Sequence, residues 1–461
     1  MTQEDNDTYE VWGERVDGDE VKEQRRFMND FTRALDMGGR RLITGNNADG
    51  GSSLEKVQAV CYQYHRVVNT IFSYYCACGT DLSQMYLNDW SQFLEDFELV
   101  DNKSQFCKKS DMDRLFIQVD SKAALNMQEK QTQLKGLSTK ERELTLKRER
   151  ERDQAILDGK ATDLENSKGL VRAVQADLTR NAFSRVEFFV ALLNIAVSRY
   201  ILVGHASNLQ EAMLYLLVGD LESVLNGEGA LKAKVFVDPA PFREEFCYKY
   251  PVTLVFLQRL TALRRVFHII CRASDSASLK MLSVDDWMNF LRGINLFTGE
   301  LTEREGTLCF SWSRSVCEDE TTKRGYINDT CLPFEGFLEA LARLAVLTTM
   351  PTDDELAAAG YVSEVDSDHP DAPPPSMAGP YLVDLKLSHE VKYKELCSRE
   401  HSEWGDDPKR QPMERRIAHL LSIIFHALAR QRQNATGYGL MLSKDCASSA
   451  PEVLEWMDTL L

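Results

Sequence analysis

Two stretches of this chain repeat each other, which restricts the fold to one that can be assembled twice from short helical pieces. Asp89–Val100 reads DWSQFLEDFELV and Asp286–Phe297 reads DWMNFLRGINLF; without gaps Trp90 falls on Trp287, Phe93 on Phe290, Leu94 on Leu291 and Leu99 on Leu296. Downstream, VEFFVALLNIAV (Val186–Val197) matches EGFLEALARLAV (Glu335–Val346), with Phe188 on Phe337 and Ala196 on Ala345. Trp90 and Trp287 lie 197 positions apart, whereas Phe188 and Phe337 lie 149 apart, so the first copy holds 48 more residues between its halves. The surplus falls at about 122–177, a Lys/Arg/Glu/Gln-rich run that includes KERELTLKRERERD (Lys140–Asp153). It lacks the aromatic and branched residues of a core and reads as an inserted charged helix or loop.

Each copy reads as four helices. In the second, Val255–Cys271 is apolar at helical spacing, and Asp285–Leu296 places Trp287, Phe290, Leu291 and Ile294 at i, i+3, i+4 and i+7. Helices around Leu308–Trp312 and Phe337–Val346 complete the set. In the first copy, Val67–Cys76, Asp89–Leu99, Asp111–Val119 and Val186–Tyr200 take these roles. The expected core anchors are Trp90, Phe93, Leu94 and Phe188, with Trp287, Phe290, Leu291 and Phe337. Burying each contributes roughly 1.5–3 kcal/mol, so their first duty is to specify a core.

Paired helix–loop–helix units with an apolar residue late in each loop resemble EF-hands. A calcium loop needs oxygen ligands at positions 1, 3 and 5, Gly at 6 and Glu at 12. With Asp286 at position 12, Asp275, Ala277, Leu279 and Lys280 fill 1, 3, 5 and 6; with Asp89 there, Cys78, Thr80, Leu82 and Ser83 do. Glu187 at 12 puts Ala176, Leu178 and Arg180 at 1, 3 and 5, and Gly336 at 12 puts Gly325, Ile327 and Asp329 there. None of the four is a calcium cage, so no metal site is expected. Position 8, which pairs loops in EF-hand domains, is apolar throughout: Met85, Phe183, Leu282 and Leu332.

Within that class the first copy is similar to the tubulin polymerization-promoting protein family. The similarity runs through NDWSQFLEDFELVDN (Asn88–Asn102), SDMDRLFIQV (Ser110–Val119) and VEFFVALLNIA (Val186–Ala196). The second copy also resembles helical modules of protist and flagellar proteins, through LCFSWSRS (Leu308–Ser315) and FEGFLEALARLA (Phe334–Ala345). The resemblance covers about 55–200 without the insertion and 252–347. It implies an all-α fold of two paired pseudo-EF-hand modules. It also implies protein partners such as tubulin or axonemal proteins, and a cytoplasmic place at the cytoskeleton, cilium or flagellum. The insertion and the duplication both depart from the family, and no tubulin-contacting residue carries over.

A formal charge of −17 over 461 residues argues against broad nucleic-acid binding, which needs clustered Lys and Arg, and against adsorption to anionic membranes. Nothing approaches the run of about 18 apolar residues that a transmembrane helix needs. Met1–Gly18 is polar and acidic, without the apolar centre of a signal peptide. The eleven cysteines are scattered and read as reduced core residues of a soluble intracellular protein; Cys76 and Cys78 have no second pair at zinc-finger spacing. Phosphate-cradling, zinc-protease and serine-elbow signatures are absent, and the eight histidines are dispersed. The expectation is a non-catalytic protein with no catalytic residue, cofactor or metal. The alternative is a calcium sensor using irregular ligands such as Glu318, Asp319 and Glu320.

The copies occupy 55–203 and 252–348. Before them, 1–54 reads as a helix (Glu20–Met37) and a Gly/Asn/Ser-rich tether (Gly38–Ser53). Between them, 204–251 carries an amphipathic helix, Asn208–Leu225, followed by a rigid break at Asp238–Pro241. Beyond them, 349–381 includes the acidic, Pro-rich stretch Ser363–Pro380, and 382–461 is a C-terminal helical segment. There Met413–Arg432 aligns Ile417, Leu420, Leu421, Ile424 and Leu428 on one face. That face suits docking into a partner's groove, packing on a neighbouring core, or docking within this same chain.

Overall fold

The computed structural model describes residues 2–44, 50–79, 81–121, 181–226, 239–272, 281–297, 301–320, 322–362, 374–398 and 411–434. The 122–177 insertion lies outside them. The chain gathers into two compact units, Met1–Glu23 with Val237–Leu461, and Gln24–Phe236. Both are mainly helical, as expected; the strands among the described residues are four two-residue pieces forming two ladders. No helix among the described residues is long and apolar enough to cross a membrane.

In the Gln24–Phe236 unit, helices His65–Cys78, Leu87–Asp96, 109–121 and Arg185–Ala196 take the four expected places. In the other unit the corresponding helices are Leu260–Arg272, Val284–Gly293, Glu303–Trp312 and Phe334–Leu347. The long apolar run expected as one helix from Val255 breaks at Arg259, which separates Tyr250–Gln258 from Leu260–Arg272. An additional helix, Lys323–Thr330, precedes the last one.

The tryptophan helices open on different local caps and stop by the same device. Asp89 accepts a hydrogen bond from the Tyr86 amide (3.0 Å), and the Asp286 amide donates to Ser283 Oγ (3.2 Å), so each helix opens on a local cap. At the other end Glu98 (φ 51°) and Asn295 (φ 56°) take the left-handed conformation. The amides of Leu99 and Leu296 then donate back to Leu94 and Leu291 (2.9 and 3.1 Å), closing each helix with a Schellman turn.

The cores built on these helices share their central ring contacts. Trp90 and Trp287 are fully buried. Trp90 crosses Phe188 at 6.3 Å and 86°, and Trp287 crosses Phe337 at 6.1 Å and 85°. Phe72 lies 5.6 Å from Phe188, and Phe267 lies 5.6 Å from Phe337. Each indole N–H reaches a carbonyl of the third helix, Met112 (3.3 Å) or Gly306 (2.9 Å), so neither polar group is stranded. Phe93, Leu94, Phe188, Leu291 and Phe337 are buried as expected, but Phe290 is only half-buried. Phe93 packs against Tyr75 and Phe97, whereas the residue matching Phe97 is the smaller Ile294.

The flanking helices complete each unit separately. Leu209–Leu214 continues through wider turns to Asn226, burying Leu209, Met213, Leu216, Leu217 and Leu221, and packs on the Gly50–Gln63 helix. The stretch expected as a tether holds a short helix, Arg40–Thr44, with Ile43 buried. In the other unit Gln3–Trp12 is a helix opened by a Thr2–Asp5 capping box and packed on Tyr250–Gln258. Its Trp12 is fully buried, edge-on to Phe256 at 5.5 Å, and donates to Thr253 Oγ1 (3.2 Å).

Candidate functional site

The loops between paired helices are where a module of this kind could hold an ion. Strand β1 (Met85–Tyr86) pairs antiparallel with β2 (Ala182–Phe183), and β3 (Leu282–Ser283) with β4 (Cys331–Leu332). Met85 sits opposite Phe183 and Leu282 opposite Leu332, with all four side chains fully buried. These are the four apolar position-8 residues, and each ladder closes its two loops against each other. Positions 176–180, 275–280 and Thr80 lie outside the described residues.

The carboxylates at position 12 serve their own helices. Asp89 caps Tyr86 as described; Glu187 accepts from the Ser184 amide (2.6 Å), and Ser283 Oγ donates to Asp286 (2.6 Å). Burial pushes the Glu187 carboxyl up to about 7, against the pull of its Ser184 hydrogen bonds. A carboxyl shared with a proton near neutral pH is a poor ligand for a hard cation, which binds the ionised form. At the fourth loop Gly336 brings no carboxylate, and a Cβ there would meet the Ser313 carbonyl at 3.0 Å.

A buried knot of charge lies in the unit holding Met1–Glu23, which sequence reasoning missed. Glu339, 1% exposed, accepts from Arg243 Nε (2.9 Å) and from Arg343 Nε and Nη2 (3.0 and 2.7 Å), and pairs with Arg15 Nη2 (3.1 Å). Arg15 and Arg243 also donate to carbonyls of residues 312–314, where the Glu303–Trp312 helix ends, and Arg243 pairs with Asp19 (3.2 Å). Arg343 lies over the Phe242 ring at 4.2 Å. Burial alone would push the Glu339 carboxyl up, but the guanidinium groups of Arg243, Arg15 and Arg343 outweigh it and hold it at about 2. The knot fastens the N-terminal segment to the last module helix, leaving Arg15 Nη1 and Arg343 Nη1 buried without a hydrogen-bond partner.

The expected docking helix, Met413–Asn434, is already docked within its own unit. Ile417, Leu420, Leu421 and Ile424 are buried, with Leu428 half-buried, against Phe334–Leu347, Tyr250–Gln258 and Ala378–Ser388. Arg415 grips Asp353 with two bonds (2.8 and 2.6 Å), and Arg416 donates to the Val346 carbonyl (2.9 Å). Beside them buried His419 lies 2.6 Å by Nδ1 from Ser376 Oγ, and by Nε2 3.0 Å from Gln411 Oε1 and 3.6 Å from Asp353. The grouping has the composition of a hydrolytic triad. However, Ser376 Oγ also accepts the Ala378 amide (3.1 Å) at a helix start, and burial with the Arg415 charge pushes His419 down to about 4. So weak a base extracts a serine proton poorly at neutral pH.

Comparison of the chain with protein-family models, curated proteins and solved structures finds no match, so the assignment of a role rests on the residues and their geometry.

Proposed function

We propose that this protein is a non-catalytic scaffold or adaptor of the cytoskeleton, associated with microtubules or the axoneme. It is built on two pairs of EF-hand-like helix–loop–helix units that cohere without calcium. The observation that carries this reading is the pairing of Met85 with Phe183 and of Leu282 with Leu332, at the loop position where EF-hand pairs join. The local use of the position-12 carboxylates supports ion-free cohesion, since Asp89 and Glu187 already hold backbone amides and Asp286 holds a serine hydroxyl. Support for the cytoskeletal partner is the family resemblance of the first copy.

Co-sedimentation with microtubules at low and moderate salt tests the partner. Pelleting is expected at low salt, and no pelleting at either salt removes tubulin. The calcium-sensor alternative requires saturable Ca²⁺ binding tighter than about 10⁻⁵ M by calorimetry, and a flat titration is expected.

A further inference from the structure

The Glu339 knot holds more positive charge than its carboxylates balance. Among the described residues Arg15, Arg243 and Arg343 pair with two carboxylates, Glu339 and Asp19, and Asp19 is shared with Lys22 (3.2 Å). Three guanidinium groups and an ammonium thus face two negative charges, and all three arginine side chains are nine-tenths buried or more. Glu335, half-buried one turn earlier on the helix of Glu339, forms no ion pair among the described residues. Surplus charge in a low-dielectric interior is costly unless something of opposite sign meets it.

Three donors of the same region are buried without an acceptor: Arg15 Nη1, Arg343 Nη1 and the Tyr248 hydroxyl. Tyr248 belongs to the group by position. Its ring lies edge-on to Trp12, three residues before Arg15, with centroids 5.4 Å apart, and the charges of Glu339 and Arg15 both act on its hydroxyl. Burial and the Glu339 carboxylate push that phenol up, so it keeps its proton and is a donor. A guanidinium has no acceptor to offer and does not give up its proton. The unsatisfied set is therefore donors alone. A water molecule could accept from some of them but would leave the surplus charge in place; a negative acceptor answers both.

The first copy shows that the fold does not require this arrangement. There Val190 and Asn194 hold the places of Glu339 and Arg343, and Asn194 donates to the Val190 carbonyl of its own helix (2.8 Å). Buried ion pairs exchanged for apolar residues of like size are often neutral or stabilising, so cohesion alone does not account for the charged version.

We propose that the knot is a binding site for a single small anion of the halide class, held by Arg15 Nη1, Arg343 Nη1 and the Tyr248 hydroxyl. Arg15 belongs to the N-terminal segment and Arg343 to the last module helix, so the anion ties one to the other and makes the fastening of that segment depend on anion concentration. The site goes beyond the scaffold reading and does not rest on it.

The test is hydrogen exchange of the full chain, read by mass spectrometry at neutral pH. Chloride is raised from about 2 to about 200 mM in place of gluconate, which is too large for a buried site, so that ionic strength and screening stay constant. An ion bound by the closed state alone raises protection with its occupancy, so exchange of Gln3–Trp12 should slow by about tenfold. Exchange of Arg185–Ala196, in the other unit, should not change. Bromide should act as chloride does. Tyr248→Phe deletes a donor with no other partner, so in gluconate it should be protected as wild type is, while its chloride effect should fall below about threefold. Crystals grown with bromide need no variant, and should show an anomalous peak within hydrogen-bond distance of Arg15 Nη1. No chloride effect on Gln3–Trp12, an equal effect in both units, a full effect in folded Tyr248→Phe, or water alone at the knot in the bromide crystals overturns the site.

Discussion

Replacing Glu339 by glutamine keeps the shape of the knot and removes its central charge. Arg15, Arg243 and Arg343 would then share a neutral oxygen, with Arg343 fully buried and the other two about nine-tenths so. Two routes give the loss. The carboxyl is held at about 2 rather than its ordinary 4.5, and at about 1.4 kcal/mol per pH unit this is about 3 kcal/mol of stability at neutral pH. Breaking a buried ion pair by removing one partner costs about 3–5 kcal/mol by mutational precedent. Because the folded value lies below the unfolded one, this contribution is complete above about 4.5 and is lost as pH falls towards 2. Hydrogen exchange read by mass spectrometry is the suitable assay, since a chain of two units need not unfold in one step. Glu339→Gln should lower protection across Gln3–Trp12 and Phe334–Leu347 by about a hundredfold at pH 7, and the difference from wild type should shrink towards pH 3. A loss under tenfold at pH 7, or one that does not depend on pH, refutes the account of the knot.

Three further outcomes follow from the same geometry. Trp90→Phe and Trp287→Phe should each destabilise their own unit by about 2 kcal/mol, because each deletes a buried indole hydrogen bond and leaves a void; urea midpoints differing by much more than this between them would deny equivalent cores. Glu98→Gly should raise stability by about 1 kcal/mol, and Asn295→Gly by less, since asparagine tolerates the left-handed conformation better than glutamate; denaturant titration reads both. Burial depresses His419 to about 4, so packing of the Met413–Asn434 helix should be at full strength above about 6.5 and weaken as pH falls towards 4, visible as rising exchange in that helix, while His419→Gln should flatten the profile.

What could be read from the chain was what repeats or alternates. The spacing of Trp90, Phe93 and Leu94 placed a helix and its inward face, and the apolar position 8 of each loop anticipated which residues would stand opposite across the ladders. A repeat offers two independent readings of one pattern, so chance similarity is filtered out. The Glu339 knot left no such trace, because its members at 15, 19, 243, 339 and 343 are brought together only by tertiary packing. The matching residue for Glu339 in the first copy is Val190, so the repeat itself gave no warning. Trp12 was equally silent, as a single large side chain in an acidic stretch whose burial depends on Thr253 and Phe256. The break at Arg259 was hidden by an apolar pattern that continues in phase across it. The elements that cover Ile417, Leu420 and Ile424 could not be named from the chain, since an apolar stripe does not name its cover.

The contact between Trp12 and Thr253 joins residues 241 positions apart. On a ribosome adding about 5–20 residues per second, the opening helix would emerge roughly 10–50 s before the surface that receives it has been synthesised. Through that interval Val11 and Trp12, both buried in the finished fold, would face water or a chaperone. Completion of that half of the molecule is thus a late closure onto a piece made 241 positions earlier.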